Sequence, residues 1–113
     1  MYIGKEDDFQ KSVARYLDSL GVLWCHVPNE SKSKVQYRVK QKAKGLKSGL
    51  PDCLIFEPKG IYNGMAIELK VGKNKISEYQ KYWLEELSSR AWKCIVAYDL
   101  DEAIQEIDKY LNK

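Results

Sequence analysis

Two short polar motifs, sixteen residues apart, hold the side chains of this chain that are best suited to chemistry. The first, residues 49–52 (Gly-Leu-Pro-Asp), places Asp52 at the start of an apolar run, and the second places Glu68 and Lys70 within another. Side chains two apart on a strand share a face, so Glu68 and Lys70 would point the same way. If Asp52 starts the neighbouring strand, two carboxylates and an ammonium converge. That set suits Mg²⁺ held against a phosphodiester and an attacking water.

Each motif alone has an ordinary structural explanation. A Glu-x-Lys tripeptide is typical of a half-exposed strand, and an aspartate after a proline is common turn chemistry. The hairpin signal Asn63-Gly64 lies between the motifs and would bring the two strands side by side. Two neighbouring carboxylates repel each other, and a divalent cation relieves that repulsion.

Two further polar residues lie near the starts of predicted helices. Glu6 continues the inward line of the first helix and would point towards the sheet, although a glutamate there also suits the helix dipole. Gln80 precedes the inward stripe of its helix, and with Ser77 it also fits a capping box. For both residues a role at the site and a purely structural role stay open.

A basic segment precedes the first motif. Its seven cations are Lys32, Lys34, Arg38, Lys40, Lys42, Lys44 and Lys47. No acid lies among them, and removing these seven from the net charge of +3 leaves −4 for the rest of the chain. Such a local imbalance favours contact with DNA or RNA, with a solvated basic loop as the alternative. His26 and Asn29 are either phosphate contacts or an ordinary strand end and turn.

The elements that must position these residues follow from periodicity. Helices are predicted at residues 6–20, 77–89 and 100–111. Strands are predicted at residues 22–27, 52–56, 65–71 and 92–98. A loop of about twenty residues without a helical pattern follows the first strand, and alternation within residues 35–40 allows a short basic strand or arm there. The order α-β-β-β-α-β-α predicts an α/β fold with a mixed four-stranded sheet flanked by helices.

Composition restricts the class of protein. A length of 113 residues fits one domain over residues 1–113, and 44% hydrophobic with 31% charged residues is typical of a globular chain without a membrane span. The acidic start argues against a signal peptide. Cys25, Cys53 and Cys94 are interpreted as small core residues of a reduced, cytoplasmic protein. With one histidine and no Cys-x-x-Cys pair, no zinc site is expected.

Together these motifs resemble the VRR-NUC domain of the PD-(D/E)xK nuclease superfamily, especially its small stand-alone viral and bacterial forms. The resemblance covers nearly the whole chain. It rests on Glu6 with residues 9–10, and on residues 26–29, 45–52, 67–70 and 77–84. It implies a restriction-endonuclease-like α-β-β-β-α-β core and a divalent-metal-dependent phosphodiesterase.

The resemblance also implies a ligand set. Asp52, Glu68 and the backbone carbonyl of Leu69 would bind Mg²⁺ or Mn²⁺. Glu6 would support the metal through a water or a second ion.

The same resemblance implies roles for the remaining site residues. Lys70 would orient or help to deprotonate the attacking water and would stabilise charge on the phosphate. Gln80 would position Lys70 or the water. Ser48, within the motif that precedes Asp52, is expected to contact DNA together with the basic segment.

The resulting prediction is a DNA endonuclease that acts on branched or structured DNA such as a four-way (Holliday) junction. Small members of the family resemble junction resolvases that act as homodimers, and a twofold dimer would supply two symmetric sites. Two alternatives stay open. One is a restriction-like endonuclease that reads sequence, and the other is a non-catalytic nucleic-acid-binding module on the same scaffold.

Overall fold

Four strands form one mixed sheet with helices packed against it. The computed structural model describes residues 4–28 and 35–113. The helices are α1 (Gly4–Leu20), α2 (Val35–Ala43), α3 (Glu78–Ser88) and α4 (Leu100–Leu111). The strands are β1 (Trp24–His26), β2 (Cys53–Ile55), β3 (Gly64–Leu69) and β4 (Trp92–Ala97). The order across the sheet is β1-β2-β3-β4; β1–β2 and β2–β3 are antiparallel and β3–β4 is parallel. The predicted α/β fold is confirmed.

The apolar core lies between the sheet and helices α1 and α4. Alternate residues of β3 belong to it, namely Met65, Ile67 and Leu69. Helix α1 adds Phe9, Val13 and Leu17, and helix α4 adds Ala103, Ile107, Tyr110 and Leu111. Since strand side chains alternate, Ala66 and Glu68 belong to the opposite face of the sheet. Strand β3 therefore contributes one set of side chains to the apolar core and directs the other set to the opposite face of the sheet.

The ends of the last two helices follow from their capping residues. The Ser77 hydroxyl accepts the Gln80 N–H at 3.2 Å and Gln80 Oε1 accepts the Ser77 N–H at 2.8 Å, so the predicted capping box is present. Asp99 caps α4 by accepting the Glu102 N–H at 2.8 Å. None of the helices in the described ranges is long and apolar enough to cross a bilayer.

One element differs in kind from the prediction. Residues 35–43 form the helix α2 between β1 and β2, so the predicted helix-free loop and the basic strand or arm are wrong. Val35, Tyr37 and Val39 are all exposed, so their alternation with polar residues did not reflect burial of one strand face. Two lysines in the last turn suit the negative end of the helix dipole. The other elements end within two residues of their predicted bounds.

The three cysteines have different environments. Cys53 is buried in β2 and Cys94 is half-buried, but Cys25 is exposed. The expectation that all three are core residues is therefore wrong for Cys25. The reason is its position in β1, which lies at the edge of the sheet. All three thiols are free.

Candidate active site

A cavity of about 310 Å³ opens where the start of β2, the end of β3 and the first turns of α1 and α3 meet. It brings together most of the polar residues that the sequence predicted. Those that line it are Glu6, His26, Lys47, Asp52, Glu68, Leu69, Lys70 and Gln80. Gln10, to which the sequence gave no role of its own, also lines it and contacts the thiol of Cys53 at 3.5 Å.

Strand register explains why Asp52 and Glu68 meet. Cys53 pairs with Ile67 in the antiparallel β2–β3 ladder, so one further step along that register sets Asp52 opposite Glu68. The carboxylate of Asp52 then crosses to β3, where its Oδ2 accepts the Leu69 N–H at 2.7 Å. The expected proximity of the two acids is present.

Glu68 is a charged side chain in an unusually buried position. Its exposed fraction is 3%, and its Oε1 atom is buried with no hydrogen-bond partner among the described residues. Its Oε2 accepts a hydrogen bond from Gln80 Nε2 at 3.0 Å and lies 3.7 Å from Lys70 Nζ. A buried acceptor without a partner is costly, so a donor or cation that enters the cavity would stabilise Oε1.

The two acids hold protons more tightly than ordinary carboxyl groups. Burial, followed by the negative charge of Asp52, raises the pKa of Glu68 to about 8. Burial also raises the pKa of Asp52, although the hydrogen bond from Leu69 opposes it. The pair therefore favours any added positive charge, either a proton or a cation.

Lys70 lies just beyond β3 on the same side as Glu68, as strand alternation predicted. Its side chain is only 13% exposed and pairs with Glu68. A lysine that is largely withdrawn from water yet lines a cavity can direct its ammonium at a bound anion.

Gln80 serves as a cap and as a site residue together. Its Oε1 accepts the Ser77 N–H, while its Nε2 donates to Glu68 Oε2. The structure thus places Gln80 on Glu68, and Lys70 lies beside the same carboxylate oxygen. The two roles that the sequence left open for Gln80 are compatible because they use opposite ends of one amide.

Glu6 and His26 lie at the rim of the cavity. The Glu6 side chain is exposed, so the expectation that it points towards the sheet and away from solvent is wrong. It lines the cavity from the solvent side and adds negative charge near Asp52 and Glu68. His26 Nδ1 lies 3.0 Å from the backbone carbonyl of Asp52. Since a carbonyl only accepts, Nδ1 carries the proton, and Nε2 can donate to a phosphate only when the ring is charged.

The basic residues divide between the cavity and its surroundings. Lys47 lines the cavity itself, and Lys42 and Ser48 line a larger neighbouring one. Lys40 and Lys44 are exposed in and after α2. Asn29, Lys32 and Lys34 lie outside the described residues, and Arg38 belongs to α2 without a described side chain. Their predicted contacts with DNA stay predictions.

The oxygen donors at the site fit a hard divalent cation. Carboxylate and carbonyl oxygens are the ligands that Mg²⁺ and Mn²⁺ prefer, and Glu68 Oε1 is an oxygen of this kind that lacks a partner. In the part of the chain that the structure describes, no group of three or more Asp, Glu, His and Cys side chains is placed to hold one ion. The ligand set that the family resemblance implies, Asp52, Glu68 and the backbone carbonyl of Leu69, therefore stays a prediction.

Comparisons with known proteins identify the family. The family model of the VRR-NUC domain matches residues 5–99. A solved "VRR_NUC domain protein" is 27% identical with a TM-score of 0.79, over 95% of this chain and 88% of that chain. A solved "VRR_NUC domain" is 22% identical with a TM-score of 0.65, over 94% and 97%, and this likeness shows the fold alone. No curated protein matches significantly. Because the family model spans most of its length, the chain belongs to the VRR-NUC domain family, which is a family of the nuclease type.

Proposed function

We propose that this protein is a divalent-metal-dependent endonuclease that hydrolyses phosphodiester bonds in DNA. The observation that carries the proposal is the convergence of Asp52 and Glu68 in one cavity, with Lys70 beside Glu68 and a Glu68 oxygen that has no hydrogen-bond partner among residues 4–28 and 35–113. Two carboxyl groups that both resist ionisation gain most from a bound cation. The match to a nuclease-type family supports the same reaction class.

Asp52, Glu68 and the backbone carbonyl of Leu69 would hold Mg²⁺ or Mn²⁺. Such an ion, when bound, would supply Lewis-acid chemistry to the phosphoryl group and would make water more acidic. The protein's own contribution is the fixed position of these donors. The Leu69 N–H holds Asp52 at 2.7 Å, and the Gln80 amide holds Glu68 at 3.0 Å.

Lys70 is the residue that we propose to contact the reacting atoms. Its N–H groups donate to a phosphate oxygen or to the attacking water, which orients the water and stabilises negative charge as it develops. The ion pair with Glu68, at 3.7 Å, keeps the Lys70 ammonium at the cavity instead of in solvent. Glu6, at the exposed rim, would act through a water or a second ion.

Branched DNA is the substrate that we propose, with a homodimer as the active form. A four-way junction needs two symmetric cuts, and the cavity that holds Asp52 and Glu68 in one chain would supply one of them. The exposed lysines of α2 and the loop after it would follow the phosphates, so binding should weaken as salt rises. Three free cysteines are compatible with the reducing interior of a cell.

The direct test is cleavage of duplex, flap, single-stranded and four-way DNA in Mn²⁺, with EDTA as the control reaction and Lys70→Ala as the control protein. We expect paired symmetric nicks on the four-way DNA alone, and none with EDTA or with the variant. Normal cutting by Lys70→Ala would show that its assignment is wrong.

Two other outcomes of this experiment would replace the proposal. A shift of labelled DNA without any nicking in Mg²⁺ or Mn²⁺ would indicate a non-catalytic binding module. Cleavage of only one among several junctions built from unrelated sequences would indicate an enzyme that reads base edges.

A further inference from the structure

A second and larger cavity, of about 700 Å³, lies between helix α3 and the segment that follows α2. One side of it is aromatic, formed by Tyr79, Tyr82 and Trp83 of α3. Cations lie around the aromatic side chains, namely Lys42, Lys47 and Arg90. Neither the metal donors nor Lys70 lines this cavity, so the proposed cleavage chemistry does not explain it.

The aromatic side of the cavity is not part of the protein core. Tyr79 is 68% exposed and Tyr82 is 58% exposed. The rings of Tyr82 and Trp83 stand nearly perpendicular, at 85°, with centroids 6.1 Å apart, and so form an open corner. Broad aromatic surface held open to water is a platform for a flat apolar partner, because stacking would remove that surface from water.

The second cavity adjoins the candidate active site. Lys47 lines both cavities, and Tyr79 immediately precedes Gln80, the residue that holds Glu68. The loop that lines the active-site cavity also packs closely against helix α3. A Cβ on Gly49 would lie 2.5 Å from the carbonyl carbon of Tyr79, so this loop lies directly against the backbone of α3.

The charge around the cavity favours an anionic ligand. Its three cations face a single acid, Glu86, which is already paired with Arg90 at 2.7 Å. A flat aromatic group attached to a chain of negative charges could stack on the aromatic side chains while its charges pair with the surrounding cations. A nucleotide within a DNA strand has this chemistry.

We propose that this cavity binds an unstacked base of the DNA strand whose phosphate lies in the candidate active site. The inference rests on the proposed nuclease function and narrows its substrate class to branched DNA in which a nucleotide at the branch point is unstacked beside the cut. Tyr79 and Tyr82 stack on the base, and Lys47 contacts the phosphate between the two cavities. Stacking on an aromatic ring accepts any base, so this contact selects for unpaired structure and not for sequence.

The test compares binding to a blunt duplex with binding to the same duplex carrying a short unpaired bulge, in EDTA so that no strand is cut. We expect Tyr79→Ala/Tyr82→Ala to weaken binding of the bulged DNA roughly 5- to 150-fold, which is the loss of one stacked base. Binding of the blunt duplex should change by less than about twofold, because phosphate contacts carry it. Equal loss on both DNAs, or no loss on either, would overturn the proposal.

Tyr98→Ala is the matched control. Tyr98 is also an exposed tyrosine, but it lines neither cavity. We expect this variant to bind both DNAs as the unsubstituted protein does. A loss of bulged-DNA binding in Tyr98→Ala equal to that in the double variant would count against the proposal.

A second measurement uses the unsubstituted protein and so does not depend on the folding of a variant. The bulged base is replaced by 5-iodouracil, which is cross-linked by light to an aromatic ring stacked on it. A cross-link at Tyr79, Tyr82 or Trp83 is expected. Cross-links only at other residues, or none at all, would contradict the proposal.

The other occupant to be considered is a second copy of this chain. If Tyr79→Ala/Tyr82→Ala turns a dimer into a monomer in sedimentation and weakens both DNAs equally, the cavity is a contact between copies and the proposal fails. The proposed cleavage reaction is tested separately, because binding in EDTA is measured whether or not the protein cuts DNA in Mn²⁺.

Discussion

The two faces of the sheet are covered in different ways. Helices α1 and α4 close one face, where β3 supplies Met65, Ile67 and Leu69 to a continuous apolar core. Helix α3 lies over the other face, and with the described part of the chain in place no residue of α3 is buried. This second face carries Glu68 and Lys70, and side chains of α3 line both cavities.

The comparison shows how a small domain can hold costly groups in place. A buried carboxylate with an unpartnered oxygen opposes folding, whereas close apolar packing drives it. In β3 both kinds of residue occur on one strand. The apolar packing of Ile67 and Leu69 therefore stabilises the backbone that positions Glu68 on the other face. Substitutions at neighbouring positions of β3 should therefore have opposite effects on stability and activity.

The largest expected effect is on activity, at the face that carries Glu68 and Lys70. Glu68→Gln removes the negative charge while keeping the size of the side chain, so we expect the rate of DNA cleavage in Mn²⁺ to fall by about 10²- to 10⁴-fold. The thermal midpoint of the metal-free protein at pH 9 should not fall, since the neutral amide is cheaper to bury. A Glu68→Gln protein that cuts DNA at the normal rate, or that unfolds at a clearly lower temperature, would contradict the assignment of activity to this face and stability to the other.

The next effect is on stability, at the closed face one residue away. Ile67 is fully buried, so Ile67→Ala should destabilise the fold by about 2–5 kcal/mol, measured as a shift in the urea midpoint. Ile67→Val, the milder control, should cost about 0.5–1.5 kcal/mol. The cleavage rate per folded molecule should stay near normal, and a loss as large as that of Glu68→Gln would contradict this division.

The smallest effect is the dependence of stability on pH without metal. Glu68 has a pKa of about 8 in the folded protein, above its usual value of 4.5. Between these two pH values the folded state binds more protons than the unfolded chain. The stability from this group is complete below the unfolded pKa and is lost as pH rises through about 8.

Urea unfolding in EDTA from pH 5 to pH 9 measures this trend, with Glu68→Gln as the control that should lack much of the decline. Excess Mg²⁺ should restore stability at the alkaline end, because a ligand that binds only the folded state stabilises it. A midpoint that rises with pH in the unsubstituted protein, compared with Glu68→Gln, would contradict the raised pKa.

Local sequence signals predicted the parts of the fold and site that depend on local geometry. Alternation placed Glu68 and Lys70 on one face, and the Ser77–Gln80 spacing predicted the cap that the structure shows. The pairing of Asp52 with Glu68 needed only a hairpin between two short strands. Its tight turn lies at residues 59–62, however, and not at the predicted Asn63-Gly64, because Gly64 already begins β3. In each case the interacting groups are close in sequence or joined by a simple turn.

What the sequence could not supply depends on packing between distant segments. Residues 35–39 alternate like a strand but lie in an exposed helix, because no sheet partner selects their pattern. The edge position of Cys25 follows from strand order, which local pattern does not encode. The aromatic cavity exists only because the loop before Asp52 lies against α3, a contact that needs Gly49.

The side-chain amide of Gln80 couples the first turn of helix α3 to the orientation of the Glu68 carboxylate. Because its two ends hold Ser77 and Glu68, unwinding the first turn of α3 would release Glu68 in the same event. A glutamate at this position, which is also common in capping boxes, would preserve the helix start and set a third anion against the acidic pair. Only a side chain with an acceptor at one end and a donor at the other maintains both, so correct folding of α3 is itself a condition for a competent site.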